Sequence, residues 1–101
     1  MRTPWGESDS VTVIADGIYD VGTPSHGGII LSTERQAQLP EGLDNFLHNT
    51  KYWEEDCDWC VPYIIFKNDI EKYGKAYKFI ENLAMAYKTA KHCHPEILNR
   101  Q

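Results

Sequence analysis

The chain has 101 residues, a net charge of −5 and 42% hydrophobic residues. Its length predicts a single domain, 1–101, and its aromatic content, 12%, predicts a folded one rather than a disordered chain. No apolar run approaches the roughly 20 residues that span a bilayer, and the N-terminus has no apolar segment of a secretory signal. Three cysteines, an odd count, argue against a closed disulfide framework. These features predict a protein of the cytoplasm with no membrane partner.

The charge is divided unevenly along the chain. Residues 1–66 carry three basic and eleven acidic residues, a net charge of −8, whereas residues 67–101 carry seven basic and four acidic residues, a net charge of +3. An acidic surface repels nucleic acid and attracts basic surfaces. We therefore expect a protein partner and no direct contact with nucleic acid; a solvated acidic face is the alternative. Five lysines are interpreted as solubilising a C-terminal helix: Lys72, Lys75, Lys78, Lys88 and Lys91.

Three segments near the N-terminus are typical of β-strands. Residues 11–15 are rich in β-branched side chains, and Asp16-Gly17 then matches a tight hairpin turn. Residues 18–21 form the expected return strand, and residues 28–31 the third strand after a turn-rich connection. The pattern predicts an antiparallel meander.

Short helices are expected next. Residues 32–36 resemble a helix start that Ser32 or Thr33 could cap, and Pro40 limits this helix to about two turns. A second short helix is predicted over residues 40–47, with Leu43, Phe46 and Leu47 on one side. In residues 52–66 the acids after Trp53 could start a helix that Pro62 would stop or kink. The apolar run 61–66 is equally compatible with a strand.

The C-terminal part predicts a long amphipathic helix. Residues 68–71 resemble a cap, Gly74 weakens the middle, and Pro95 ends the helix near residues 92–94. One apolar stripe is interpreted as core: Ala76, Phe79, Ile80, Leu83, Ala84, Tyr87 and Ala90. The expected fold class is α+β, an N-terminal antiparallel β-meander packed against short helices and a long C-terminal helix.

Candidate chemistry is concentrated in residues 53–60, which hold four carboxylates, two thiols and two tryptophans. Cys57 and Cys60 have the spacing of a metal hairpin. His26 precedes two glycines, which allow close approach of the backbone to another element, and Glu54 shares a helix face with Cys57. These four residues predict a Zn²⁺ site that stabilises a small domain. Two buried cysteines that pack as small apolar residues are the alternative.

The remaining acids and histidines leave other readings open. Glu55, Asp56 and Asp58 are expected at or near a binding surface. Glu55 or Asp56 could instead act as a general base beside a metal-bound water, and Cys57 with His26 could form a nucleophile pair, although neither arrangement has a specific spacing signature. Residues 92–94 (HCH) compete as ligands, but on a helix they cannot all bind one ion. They are interpreted as favourable charge placement at the helix end.

Several short words, taken together, resemble a small uncharacterised domain family of phages, plasmids and other bacterial mobile elements. They are TPWG at 3–6, TPSHGG at 23–28, LS with ER at 31–35, EEDCxW at 54–59 and HPE at 94–96. The resemblance implies that His26 and Cys57 belong to one site. A small acidic protein of such a family resembles anti-CRISPR proteins in size and charge, which implies binding to a defence effector without catalysis.

The leading hypothesis is therefore a metal-stabilised, acidic, non-catalytic inhibitor of a bacterial defence nuclease such as a CRISPR–Cas effector. The second hypothesis is a small metal-dependent hydrolase that uses the same His, Cys and carboxylate cluster. The third is an accessory protein of a mobile element without a defence target.

Overall fold

The computed structural model describes residues 1–43 and 49–99, and its fold class is the predicted α+β. A short hairpin of β1 and β2 precedes a four-stranded antiparallel sheet in the order β3-β4-β5-β6. The strands are β1 (Arg2–Thr3), β2 (Gly6–Glu7), β3 (Ser10–Ala15), β4 (Ile18–Gly22), β5 (Gly27–Leu31) and β6 (Tyr52–Glu54). The helices are α1 (Thr33–Ala37), α2 (Cys60–Ile65), α3 (Lys67–Tyr73) and α4 (Phe79–Cys93), followed by a 3₁₀ helix, Pro95–Asn99.

The predicted meander is confirmed as β3, β4 and β5. Gly17 adopts a φ of 79° in the turn between β3 and β4, a conformation that glycine accepts without steric cost. The fourth strand, β6, was not predicted, because Trp53 and the acids after it also fit a helix start. Trp53 lies opposite Ile29 and is fully buried, so the sheet rather than a helix takes this segment.

The short helices follow their local signals in part. The hydroxyl of Ser32 accepts a hydrogen bond from the backbone N–H of Arg35 at 3.2 Å and so caps α1. Of the helix predicted at 40–47, residues 44–47 lie outside the described residues; residues 40–43 are described, contain a turn rather than helix, and include the buried Leu43. The segment 61–66, for which strand and helix are equally expected, is mainly helical. Pro62 sits in the first turn of α2, where the backbone N–H groups have no intrahelical partner, so the missing N–H of proline costs no hydrogen bond.

The long predicted C-terminal helix is divided in two. Gly74 ends α3 with a φ of 74°, and α4 begins at Phe79. The predicted apolar stripe is partly wrong, because Ile80 is 67% exposed and Ala84 is also exposed. The buried positions of α4 are Ala86 and Ala90, with Phe79, Leu83 and Tyr87 packed against the core.

One hydrophobic core joins the sheet to the helices. α4 packs mainly against α2, which in turn contacts β6 at the edge of the sheet. The largest fully buried side chains come from both layers and include Trp53, Ile14, Leu31 and Ile64. In the described part of the chain, no helix has the length and apolar character needed to cross a membrane.

Candidate functional site

His26 lies at the end of a turn that is held closed by Thr23. The hydroxyl of Thr23 accepts from the backbone N–H of His26 at 3.1 Å and lies 2.6 Å from its carbonyl oxygen, while the Thr23 N–H donates to that carbonyl at 2.7 Å. The Ser25 hydroxyl donates to the carbonyl of Trp5 at 3.2 Å. The turn is therefore fixed to the N-terminal hairpin, and the exposed His26 side chain starts from a defined backbone.

The glycines after His26 allow the close approach predicted for them. A Cβ on Gly27 would lie 2.5 Å from the Val21 carbonyl and 3.2 Å from a carboxylate oxygen of Glu55. A Cβ on Gly28 would meet the Trp53 carbonyl and would lie 2.7 Å from the ring of Trp5. The absence of a side chain at Gly27 and Gly28 allows β5 to pair closely with β6. This pairing places His26 beside the end of β6.

Residues 54–58, the acidic turn, leave β6 and lead into α2. The carbonyl of Glu54 accepts from the N–H groups of Asp58 and Trp59 at 3.0 and 2.9 Å. Its side chain accepts from the N–H of Asp56 at 3.0 Å. Glu54 thus satisfies donors of the tight turn, which places the next two acids, Glu55 and Asp56, on the surface.

His26, Glu54 and Asp56 come together as a cluster, which we call the His26 cluster. One ligand atom from each lies within 4.8 Å of the others, and no other group of three within residues 1–43 and 49–99 meets this criterion. Glu55 lies beside it, with one oxygen 3.7 Å from Nδ1 of His26. Partial burial and, after it, the neighbouring Asp56 carboxylate raise the pKa of Glu54, while hydrogen bonds from the backbone of Asp56 and Cys57 act in the opposite direction.

The predicted thiol ligands do not join this cluster. Cys57 forms a disulfide with Cys93, with a Cα–Cα distance of 5.6 Å, so its sulfur is not a free thiolate. Cys60 is fully buried, donates to the Cys57 carbonyl at 3.2 Å, and has a pKa raised to about 12 by burial and the nearby Asp58. Of the four predicted ligands, the structure brings together His26 and Glu54. The alternative of a cysteine packed as a small apolar residue describes Cys60.

The disulfide also removes two inferences drawn from the cysteines. A nucleophile pair of Cys57 with His26 is not available while the Cys57 sulfur is bonded to Cys93. The odd cysteine count does not exclude a disulfide, because two cysteines pair and Cys60 remains. The count therefore no longer supports a reducing compartment, and cytoplasmic location stays a prediction.

Asp58 is not a surface residue, contrary to its predicted place in a binding surface. It is 7% exposed, and its Oδ1 lies 2.8 Å from Nε2 of His94. The other ring nitrogen of His94 lies 3.1 Å from Glu96. His94 therefore pairs with two carboxylates and links the acidic turn to the C-terminal 3₁₀ helix, rather than compensating the helix end by charge alone.

Sequence reasoning missed two features of this region. Asp56 was assigned to binding and not to the cluster, because its position within the turn depends on the fold of Glu54. The Cys57–Cys93 pairing was missed because connectivity does not follow from spacing. The available signal was the chemistry of residues 92–96, where one cysteine, two histidines and one acid lie close together in the chain.

A family model described as Domain of unknown function (DUF7007) matches residues 1–100. No curated protein and no solved structure matches the chain.

Proposed function

Because the chain belongs to the DUF7007 family, a domain family of unknown function, we propose its function from the site: it is a non-catalytic protein that binds a basic surface of a partner through its acidic turn, next to a divalent cation in the His26 cluster. The observation that carries the proposal is the exposure of Glu55 and Asp56 on a turn anchored at both ends. β6 holds one end, and the Cys57–Cys93 disulfide holds the other.

A fixed acidic turn suits recognition of a lysine- or arginine-rich surface. Complementary charge accelerates encounter and disfavours acidic competitors. A backbone that is already ordered loses little further entropy on binding, so more of the interaction energy appears as affinity. Glu55 and Asp56 are the two residues of the predicted binding set that remain exposed.

The donors of the His26 cluster fit Zn²⁺. An imidazole nitrogen with carboxylate oxygens is a ligand set that this ion accepts, and metal-bound histidines commonly have a carboxylate at their other ring nitrogen. Glu55 stands near such a position, 3.7 Å from Nδ1 of His26. A cation would also stabilise the ionised form of Glu54, whose pKa is raised first by burial and then by the neighbouring Asp56.

Calorimetric titration with ZnCl₂ tests the ion. We expect one ion per chain for the wild type and at least a tenfold weaker affinity for His26→Ala, since each lost 1.4 kcal/mol is tenfold. His92→Ala removes another exposed histidine and is the matched control. Fewer than about 0.2 zinc per chain at saturation, or equal loss in both variants, would overturn the metal proposal.

In its most specific form, the proposal identifies the partner as a bacterial defence nuclease of the CRISPR–Cas type, inhibited in the bacterial cytoplasm. Three points support this target: the resemblance to mobile-element proteins, the small size, and the net charge of −8 over residues 1–66. Effectors of this type hold nucleic acid in a positively charged channel, the surface that an acidic turn complements.

Cleavage assays with purified RNA-guided nucleases test the target. We expect the wild type to slow cleavage, and Glu55→Lys with Asp56→Lys to abolish inhibition. Glu81→Lys reverses an exposed charge on α4 and should leave inhibition intact. Inhibition that survives the double reversal would overturn the acidic-turn mechanism; an absence of inhibition across effector types would overturn the target.

The second candidate is a metal-dependent hydrolase, which one observation favours. The His26 cluster supplies three ligands, and catalytic zinc sites use three protein ligands with the fourth position for water or substrate. Glu55 lies close enough to serve as its general base. Hydrolysis of chromogenic esters and phosphate esters that requires Zn²⁺ and is lost in Glu55→Gln would support this reading; equal rates with and without the protein would reject it.

A further inference from the structure

A cavity beside the acidic turn has the chemistry of an arginine pocket. It has a volume of about 180 Å³ and lies between the sheet and the helices. We call it the Tyr63 cavity. Its lining residues are Asp20, Gly28, Ile29, Trp59, Tyr63 and Asn82.

The hydroxyl of Tyr63 is the unusual feature of this cavity. Tyr63 is 3% exposed, and its buried hydroxyl makes no hydrogen bond of standard geometry with the described residues, although the nearby Asn82 side chain partly offsets the burial that raises its pKa to about 12. The neighbouring Asn82 uses its side-chain nitrogen to donate to the Tyr77 carbonyl at 2.7 Å. A buried hydroxyl with its hydrogen-bonding capacity unmet is unfavourable, so a ligand that bonds to it gains relative to bulk water.

The remaining walls favour a flat cation. Asp20 places a carboxyl group at the cavity. Burial and then the charge of Glu55 raise the pKa of Asp20, and the charge of Asp20 in turn contributes, after burial, to the raised pKa of Tyr63. The ring of Trp59 stands edge-to-face against Tyr63, with centroids 5.4 Å apart, and contributes an aromatic wall. A guanidinium stacks on aromatic rings and bonds carboxylates through its planar donor fork.

The size and polarity of the cavity distinguish arginine from other ligands. Its volume equals about six water molecules, at about 30 Å³ each, which is more than a lysine ammonium fills. The nearby carboxylates Asp20 and Glu55 repel anions. A guanidinium has five donors and no acceptor, which complements the acceptor oxygens of Tyr63 and Asp20.

We propose that the Tyr63 cavity receives an arginine side chain of the partner protein, with Asp20 and Tyr63 as its hydrogen-bonding groups and Trp59 as its stacking surface. This inference rests on the proposed function, because it supplies the specific contact within a general attraction for basic surfaces. The proposal is supported by the charge complementarity between Asp20 and a guanidinium and by the buried hydroxyl of Tyr63.

Suitable probes are agmatine and the peptides acetyl-Gly-Arg-Gly-amide and acetyl-Gly-Lys-Gly-amide. Their binding is measured through the NMR shift of the Trp59 indole N–H. We expect the arginine peptide and agmatine to bind about tenfold more tightly than the lysine peptide. Tyr63→Phe should weaken arginine binding about fivefold, the value of one ordinary hydrogen bond, and Asp20→Asn at least tenfold, the value of a charged one. Tyr63→Phe removes only an unbonded hydroxyl, so its fold is expected to be intact.

Matched controls are Tyr73→Phe and Asp9→Asn, which change exposed residues outside the cavity lining and should leave the arginine affinity unchanged. Equal binding of the two peptides, unchanged binding by Tyr63→Phe, or no shift of the indole signal at about 10 mM agmatine would overturn the pocket.

The experiments distinguish an error in the arginine-pocket proposal from an error in the proposed function. If Glu55→Lys with Asp56→Lys abolishes partner inhibition while Asp20→Asn and Tyr63→Phe do not, the pocket is wrong and the acidic turn stands. If agmatine binding depends on Asp20 and Tyr63 while the charge reversals change nothing, the acidic-turn function is wrong and the pocket stands.

Discussion

The carboxylate of Asp58 lies 2.8 Å from Nε2 of His94, and both side chains are nearly buried. Directly before these residues in the chain, Cys57 and Cys93 form the disulfide. Two adjacent links, one a hydrogen bond and one covalent, therefore join the acidic turn to the end of α4. The exposed acids before Cys57 are thus attached to a backbone with little freedom to move.

Removing the histidine of this pair should strongly destabilise the fold. His94→Ala leaves the buried Asp58 without its partner, and an uncompensated buried charge lowers the free energy of unfolding by about 3 kcal/mol. Urea denaturation at pH 7 measures the change. His92→Ala, at an exposed position, should change stability by less than about 0.5 kcal/mol. Similar losses in the two variants would show that the Asp58–His94 pair does not carry the effect.

Reduction of the disulfide should lower stability while leaving the sheet intact. The link spans 36 residues, for which the chain-entropy model gives about 2–4 kcal/mol. Thermal unfolding with and without dithiothreitol measures this, and Cys60→Ala should show the same sensitivity to the reductant. A thiol assay on the denatured, unreduced wild type should find one thiol, from Cys60; three thiols would contradict the pairing.

Asp20 gives a pH dependence of defined sign. Partial burial, and secondly the Glu55 carboxylate, raise its pKa above the ordinary 3.8, so the folded state holds this proton more tightly than the unfolded state. Its contribution favours folding below about pH 3.8 and is lost as the pH rises through the folded-state pKa.

Asp20→Asn should therefore raise the free energy of unfolding at pH 7. The increase should be only about a few tenths of a kcal/mol, because the partly exposed side chain is screened by solvent. The gain should shrink as the pH is lowered towards 3.8. Urea denaturation across this range tests both statements, with Asp9→Asn as the comparison. A loss of stability at pH 7, or a gain that grows on acidification, would reverse the assigned sign.

Gly28→Ala should destabilise the sheet near His26. The added methyl group would meet the Trp53 carbonyl and the Trp5 ring, and overpacking of this kind lowers stability by about 1–3 kcal/mol. Gly22→Ala is the control, because the nearest atom there belongs to the movable Ser10 side chain. Thermal unfolding of both variants makes the comparison; equal effects would argue against a special close approach at Gly28.

Local signals predicted the meander, because each strand and the Asp16-Gly17 turn depend on neighbouring residues. The capped start of α1 was predictable for the same reason. Helix α2 was ambiguous, since Pro62 breaks a helix in most positions but is accepted in its first turn. The exposure of Ile80 was not predictable, because the α4 face is chosen by packing against α2 rather than by periodicity alone.

In the candidate site, too, only the residues that give a local sequence signal were predictable. His26 with its glycines could be inferred as a place of close approach, because glycine reports a backbone requirement locally. The partners of Cys57 and Asp58 lie 36 residues away, and no local pattern distinguishes them from a metal pair or a surface acid. The hydroxyl of Tyr63 gave no signal, because an unbonded polar atom becomes visible only once its surroundings are assembled.

The disulfide makes the helical half of the protein a closed ring, with α2, α3 and α4 between its two ends. The connection between α3 and α4 is exposed at Lys75 and Lys78, which are cleavage sites for trypsin. A single cut there opens the ring without releasing either piece. Nicked protein should therefore migrate as one band without reductant and as two bands with it.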